Sequence, residues 1–342
     1  MTLPQKIIGF GESVPWPDAM TQAAISWLVG RTKRKLSGSP PDTDAEFAAE
    51  MACYPIAAHV AAANAQHYEI PERFFSLILG PQRKYSCCLY DEGIETLSAA
   101  EERALSVTAE HASLADGQRI LELGCGWGSL SLWMARRYPA ARITSVSNSQ
   151  SQREFIVNVA RAQALRNLEV ITADMNDFQP HGRFDRVVSV EMFEHMSNWR
   201  PLLLRVRDAL DADGRMFIHI FTNRRVPYRF STEDKTDWIA QYFFSGGIMP
   251  SHALIRQFPD CFGVEDEWRW NGRHYARTAA GWLKNFDDNA DAILGVLATA
   301  YDANAPLWRR RWRLFLQATM GLFGHSAGEE WGVSHYRLVP VR

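Results

Sequence analysis

The amino-acid sequence predicts an α/β protein: a doubly wound, mostly parallel sheet with a helical N-terminal extension and one inserted lid. Three observations carry this expectation. From "RILEL" onward, short runs rich in β-branched residues alternate with helical stretches, the order in which parallel strands and their crossover helices follow one another. The first run empties into glycines at alternating positions and then a helix start, the arrangement with which open α/β sheets bind ligands at a strand's carboxyl end. Ahead of this alternation, residues 19–80 are rich in Ala, Leu and Phe at helical spacing.

The elements follow in order. The N-terminal stretch reads as a helical layer broken by the turn-forming "SGSPPD" from Ser37 to Asp42. A new unit opens after Leu97 with "SAAEERALSVTAEHASL", where Ser98 as cap and Glu101 three residues on would form a capping box. After "RILEL", the runs "ARITSVSNSQ", "LEVITAD", "FDRVVSVEMF" and "GRMFIHIF" supply the next four strands. The stretch at about 222–259 is too long and too aromatic for a plain connector, and reads as a lid. "GEEWGVSHYRLVPVR" reads as a closing strand. The boundaries drawn are 1–97 for the helical extension and 98–342 for the sheet-bearing domain with its lid.

Composition narrows the function classes. With 342 residues, 46% of them hydrophobic, the chain can bury a full core. A formal charge of -2 gives no broad basic field for phosphates, so nucleic acid is not expected as a partner. Cys53, Cys87, Cys88, Cys125 and Cys261 show neither zinc spacings nor a secreted disulfide framework. A reduced, cytoplasmic protein without a metal site is expected. No run approaches the roughly 18 apolar residues that span a bilayer, so stable membrane insertion is not expected either. The oligomeric state is open, a homodimer included.

In "LELGCGWGSL", Glu122 precedes Gly124, Gly126 and Gly128. The dinucleotide fingerprint spaces its third glycine three residues after the second, whereas here the interval is two, with an acid two residues before the first glycine. This spacing resembles the cofactor loop of S-adenosylmethionine (SAM)-dependent methyltransferases. It implies a class I, Rossmann-like fold, SAM as methyl donor and S-adenosylhomocysteine as product. The acid that many such enzymes carry after the second strand is absent from "VSNSQSQ", so Ser147, Asn148 and Gln152 are expected to bond the ribose hydroxyls. Asp174, with Met175 beside it in "ITADM", is placed by analogy at the adenine.

Several stretches, among them "RKYSCCLYDEGIETLSAAEE", "VEMFEHMSNW", "DWIAQYFFSGGIMPS", "NGRHYARTAAGWL" and "FGHSAGEEWGVSHYRL", resemble coclaurine N-methyltransferases and their bacterial relatives, which are related to cyclopropane fatty acid synthases. The resemblance runs from about His67 onward and implies that Tyr85 and Ser86 lie against SAM. Cyclopropane synthases hold a bicarbonate base with a set whose matches are Cys87, Glu194, His219 and Tyr275, all present. In the coclaurine-type enzymes the motif "EMFEH" is itself catalytic, and it stands in full as Glu191, Glu194 and His195. The synthases typically carry glycine at the position of Glu191, so this residue tips the reading toward amine methylation.

The chemistry suits those residue types. On a helix, Glu191, Glu194 and His195 at i, i+3 and i+4 would share one face. Methyl transfer needs an amine with a free lone pair about 3 Å from the methyl carbon, and a carboxylate beside an imidazole can take the proton of the ammonium form. Glu194 and His195 are expected to handle the proton, and Glu191 to anchor the cation. Tyr228, Phe230, Trp238, Tyr242, Phe243 and Phe244 of the lid are expected as a cage around the substrate, with Cys87 beside it, since ring faces attract cations. In "WRRRWRLF", Trp308, Trp312 and Phe315 form an apolar helix stripe, leaving the arginines on a solvated face. The expected function is SAM-dependent N-methylation of a small cyclic or aromatic amine. The alternative is methyl or methylene transfer to an unsaturated acyl chain, in which bicarbonate would take part.

Overall fold

The computed structural model of the chain describes residues 12, 14, 16–40, 42–58, 70–234 and 237–342. The helical extension comprises α1 (Asp18–Ser37), α2 (Thr43–Met51) and α3 (Glu72–Ile78), and the expected turn separates α1 from α2. Part of the predicted helical stretch, residues 59–69, lies outside the described residues.

Helix α4 (Leu97–His111) is capped by Thr96, whose hydroxyl accepts from the N–H of Ala99 at 3.2 Å, and not by Ser98. Thr96 has the extended backbone a cap requires, and Ser98 already lies inside the helix. Glu101 does not reach back to the helix start. Fully buried, its carboxylate needs donors and takes them from the N–H groups of Gln82 and Lys84, at 2.9 and 3.3 Å.

The alternating region runs β1 (Arg119–Leu123), α5 (Ser129–Arg137), β2 (Arg142–Ser147), α6 (Gln150–Ala162), β3 (Leu168–Thr172), β4 (Phe184–Val190), α7 (Trp199–Ala209) and β5 (Leu210–Asn223). The lid holds a short ribbon of β6 (Tyr228–Arg229) and β7 (Ile248–Met249) around α8 (Trp238–Tyr242). Then come β8 (Phe262–Asn271), α9 (Gly272–Asp288), α10 (Ala290–Tyr301), α11 (Ala305–Gly324) and β9 (Trp331–Pro340). The seven-stranded sheet has the order β3-β2-β1-β4-β5-β9-β8. Strands β1 to β5 are parallel, and β9 is antiparallel to both β5 and β8. The strand read as closing is thus the last in sequence but internal in space. The order in which successive strands are added reverses between the parallel β1 and β4, so their carboxyl ends open the crevice where doubly wound sheets bind ligands.

Both faces of the sheet are covered, which is why the strands read as continuous apolar runs. Leu121, Val187 and Ile218 pack with α7 on one face, and Ile120, Val188 and Phe217 with α4 and α5 on the other. Each fully buried aliphatic or aromatic side chain contributes about 1.5–3 kcal/mol. Over the crevice, α11 packs on α9 and α1. Trp312 and Phe315 point inward as the stripe predicts. The arginines of α11 are not a solvated face: Arg313 bridges Asp18 and Asp287, and Arg311 pairs with Glu12. They fasten α11 to the N-terminal segment and to α9. Among the described residues no helix is long and apolar enough to cross a membrane.

Candidate active site

A cavity opens where β1 and β4 end. At the tip of β1 the chain turns through glycines with positive φ, +52° at Gly126 and +77° at Gly128. The two do different jobs. A Cβ on Gly128 would lie 2.6 Å from the side chain of Ile156, so this glycine lets the loop pack on α6. A Cβ on Gly126 would meet nothing within 4 Å: there bare backbone faces the open cavity.

Glu122 is buried, and its Oε2 accepts from the hydroxyls of Ser131 and of Ser145, the latter at 2.8 Å. Burial pushes its carboxyl up to about 7 against the pull of those two donors. It braces β1 to β2 and α5 while lining the cavity. Ser147 donates to Oε1 of Gln152 at 2.7 Å, and Ser149 caps α6. Asp174 accepts at Oδ1 from the N–H and the side-chain amide of Asn176. Asn176 also clamps both backbone groups of Ala57 at 3.0 Å, which holds residues 57 and 58 against the cavity. Asn148 and Met175 line the same wall, as do Gly124, Tyr85 and Ser86.

The motif after β4 departs from the helix expected of it. Glu191 has a φ of +46°, Phe193–His195 is a single tight turn, and the next α-helix starts only at Trp199. The left-handed residue breaks the i, i+3, i+4 geometry, and the motif's side chains meet by a different route. Glu191 turns inward, where its Oε1 accepts from the N–H of Cys87 at 2.9 Å and faces Nε2 of His219 at 3.2 Å. Its Oε2 accepts from the hydroxyl of Tyr275 at 2.6 Å. Lys84 stands close by, fully buried, its Nζ donating to Ser86 and to the carbonyl of Cys87. Glu194 is 0% exposed and neither of its oxygens has a hydrogen-bond partner among the described residues. The N–H groups of Glu194 and Phe221 lean toward them without reaching bonding geometry. Burial, then the charge of Glu191, holds the Glu194 carboxyl well above the usual range. Burial also raises Glu191, while the charge of Lys84, the Cys87 N–H and the Tyr275 hydroxyl oppose the rise. His195 stacks on Phe244, ring centres 4.5 Å apart.

Of the residues singled out in the sequence, Glu191, Glu194, His195 and Tyr275 share the cavity with the loop residues above. His219 and Cys87 stand behind its wall, and Cys87 reaches Glu191 only through its backbone, its thiol buried and pushed up by burial. The lid aromatics do not form the expected cage. Tyr228 accepts from the indole of Trp331, Trp238 donates to Glu12, Tyr242 lies under Arg311, and Phe243 stacks on Phe315 in the core. The short turn of α8 directs them toward α11 and the N-terminal segment, and only Phe244, past its end, faces the site. Phe221, Trp282 and Phe315 line it instead. Phe315 carried a signal in the apolar stripe of α11, but nothing in "RKYSC" marks Lys84 as buried.

Residues 57–329 match the family described as mycolic acid cyclopropane synthetase. A (S)-coclaurine N-methyltransferase of Thalictrum flavum subsp. glaucum is 35% identical over 285 residues, 82% of this chain and 79% of that one. A crystal structure of coclaurine N-methyltransferase with N-methylheliamine and S-adenosylhomocysteine is 32% identical, covers 97% of this chain and 98% of its own, and superposes with a TM-score of 0.90. The cyclopropane synthase MmaA2 of Mycobacterium tuberculosis shares the fold at 22% identity and a TM-score of 0.69, over 83% of this chain and 99% of its own. The chain therefore belongs to the mycolic acid cyclopropane synthetase family, in which it is a methyltransferase of the coclaurine N-methyltransferase-like branch.

Proposed function

We propose that the protein is a SAM-dependent N-methyltransferase acting on a small amine with a cyclic or aromatic body. One observation carries this reading: the carboxylate of Glu191 occupies the three donors, Cys87 N–H, His219 and Tyr275, that the resemblance to cyclopropane synthases would assign to bicarbonate. A chain that supplies its own fixed carboxylate leaves no seat there for a bicarbonate base. The similarity to N-methyltransferases supports the amine branch independently.

The cavity suits SAM: the open backbone at Gly126, the polar wall of Ser147, Asn148 and Gln152, Asp174 beyond it, and Tyr85 and Ser86 toward the motif. Bound there, SAM would supply an electrophilic methyl group. The chain's own residues must deliver a neutral amine to it. Of the two buried acids, Glu191 has donors that stabilise its charge and Glu194 has none, so the free pair shares its proton unequally, with Glu194 the neutral member. This shifts the roles expected from the motif. Glu191 attracts the ammonium form and takes its proton; neutral Glu194 and His195 orient the amine. Tyr275 and His219 hold the Glu191 carboxylate in place, and the rings of Phe221, Phe244 and Trp282 shut out water around the cation.

The test is turnover with methyl-labelled SAM on 1,2,3,4-tetrahydroisoquinoline and, separately, on unsaturated phospholipid vesicles with and without bicarbonate. Label should pass to the amine. Glu191→Gln should reduce kcat about 10²–10⁴-fold, while Glu194→Gln, a mimic of the neutral acid, should keep most of the rate. Label entering vesicles in a bicarbonate-dependent way, with none in the amine, would overturn the proposal.

A further inference from the structure

The stretch at residues 83–88, neither helix nor strand, carries one charged side chain that water does not reach. Lys84 is 2% exposed, and a lysine is almost never buried to that extent without a partner for its charge. Its Nζ donates to the hydroxyl of Ser86 and, at 2.7 Å, to the carbonyl of Cys87. Both acceptors are neutral, so neither balances a charge taken out of water. The N–H of the same Cys87 donates to Glu191 at 2.9 Å. One residue thus receives the buried ammonium at its carbonyl and holds the buried carboxylate with its N–H.

Two acids face Lys84. Glu101 of α4 is already held by the N–H groups of Gln82 and of Lys84 itself. Glu191 is the other, with Glu194 two steps along its own turn and coupled to it. The remaining ionisable groups around Glu191 bring no positive charge. The thiol of Cys87 and the phenol of Tyr275 on α9 can only lose protons. His219 of β5 faces Oε1 of Glu191, with His335 of β9 and His111 of α4 in line behind it. Burial, then the charge of Lys84, holds His219 well below the usual imidazole range, so the ring beside Glu191 is neutral. Burial lowers His335 and His111 as well. Among the described residues, Lys84 is the permanent cation that acts on Glu191.

We propose that Lys84 is a positioning residue for methyl transfer: through Ser86 and Cys87 it fixes the N–H that holds Glu191, and its ammonium is the built-in counter-charge of that carboxylate. The inference rests on the reading of Glu191 as the proton acceptor. A carboxyl buried without a counter-charge takes up a proton before any substrate arrives, and a protonated carboxyl can accept no other. The fixed cation opposes that uptake, so Glu191 keeps its charge until an ammonium substrate enters and yields its proton. Lys84 acts on the reaction only through Glu191. Its removal raises the Glu191 carboxyl, and the ionised form then appears only at higher pH.

The test uses the full chain and two variants. Lys84→Met removes the charge and both donated bonds, whereas Lys84→Gln removes the charge and retains an amide donor. With SAM and 1,2,3,4-tetrahydroisoquinoline, the acid limb of kcat/KM for the amine should move upward by about one pH unit or more in both, so that activity lost at neutrality returns as the pH rises. An acid limb that stays where the parent has it, or a loss that no pH restores, overturns the assignment. A parent enzyme that leaves the amine unmethylated would sink the functional reading instead. The pairing is then read without turnover, in a double-mutant cycle of melting temperatures at pH 7 with Glu191→Gln as the second change. Glu191→Gln should cost less in the Lys84→Met background than in the parent, because each change removes the other's counter-charge. Equal costs in the two backgrounds overturn the pairing. Where Lys84→Met does not bind S-adenosylhomocysteine, and so has not folded, Lys84→Gln takes its place in both measurements.

Discussion

Replacing Glu191 by glycine empties the anion seat of this site and puts the carboxylate hypothesis to a direct test. Three donors then face a vacated space: the N–H of Cys87, Nε2 of His219 and the hydroxyl of Tyr275, now 2.9, 3.2 and 2.6 Å from carboxylate oxygens. Each unpaired buried donor costs about 1–3 kcal/mol. Opposing this, glycine adopts the φ of +46° freely, where a side chain costs about 1–2 kcal/mol, and a desolvated carboxylate disappears. The two sides nearly offset, so Glu191→Gly should fold, with a circular dichroism spectrum and S-adenosylhomocysteine binding like the parent's. Turnover should drop about 10²–10⁴-fold for want of a proton acceptor. Formate carries the missing group and can settle on the same three donors. Rates measured against formate concentration, with chloride at equal ionic strength as control, should rise saturably by about tenfold or more. A variant that binds S-adenosylhomocysteine normally yet responds to formate no better than to chloride would refute the argument.

Two further outcomes follow from the glycine loop and its strand. Gly126→Ala places a methyl group where the free protein has open space, so melting should fall by only the cost of the positive φ, about 1–2 kcal/mol, while calorimetric affinity for SAM drops tenfold or more; equal affinity would mean that the cofactor does not approach this backbone. Glu122 has its carboxyl raised from 4.5 to about 7, so the folded state prefers it protonated: the stability this group contributes is full below about pH 4.5 and is lost as pH rises through 7. At 1.36 kcal/mol per pH unit the loss is about 3 kcal/mol. Glu122→Gln, neutral throughout, should therefore gain on the parent between pH 5 and 8, by roughly 5 °C in Tm, and parallel melting curves would contradict the assignment.

Much of this architecture could be read from residue order, because it rests on local rules. Period and β-branching mark the strands, and glycine spacing marks the ligand crevice. The stretches "YSC" and "EMFEH" both arrive at one cavity. What escaped notice depends on long-range choices. Ser98 and Thr96 are equally competent caps in isolation, and the burial of Glu101 under residues 82–84 decides between them. The left-handed turn at Glu191 holds because its own N–H meets the carbonyl of His219 at 2.8 Å while remote donors receive its side chain. No helical period signals that. In the lid, a helix of five residues is too short for periodicity to say which aromatic faces the site. His111 and His335 lie 224 positions apart and meet only because β9 enters beside β5.

That placement of β9 also constrains how the molecule can be made. β8 is synthesised well before β9, yet it has no neighbour in the sheet until β9 slides between it and β5. During translation β5 presents a long unpaired edge, and α9, α10 and α11 are complete before the sheet beside them is. Pairing across such a sequence separation is slow, and an open edge recruits strands from other chains. The nascent protein is thus most prone to aggregation late in its synthesis, and slower translation or lower temperature should raise its yield more than any change to the core.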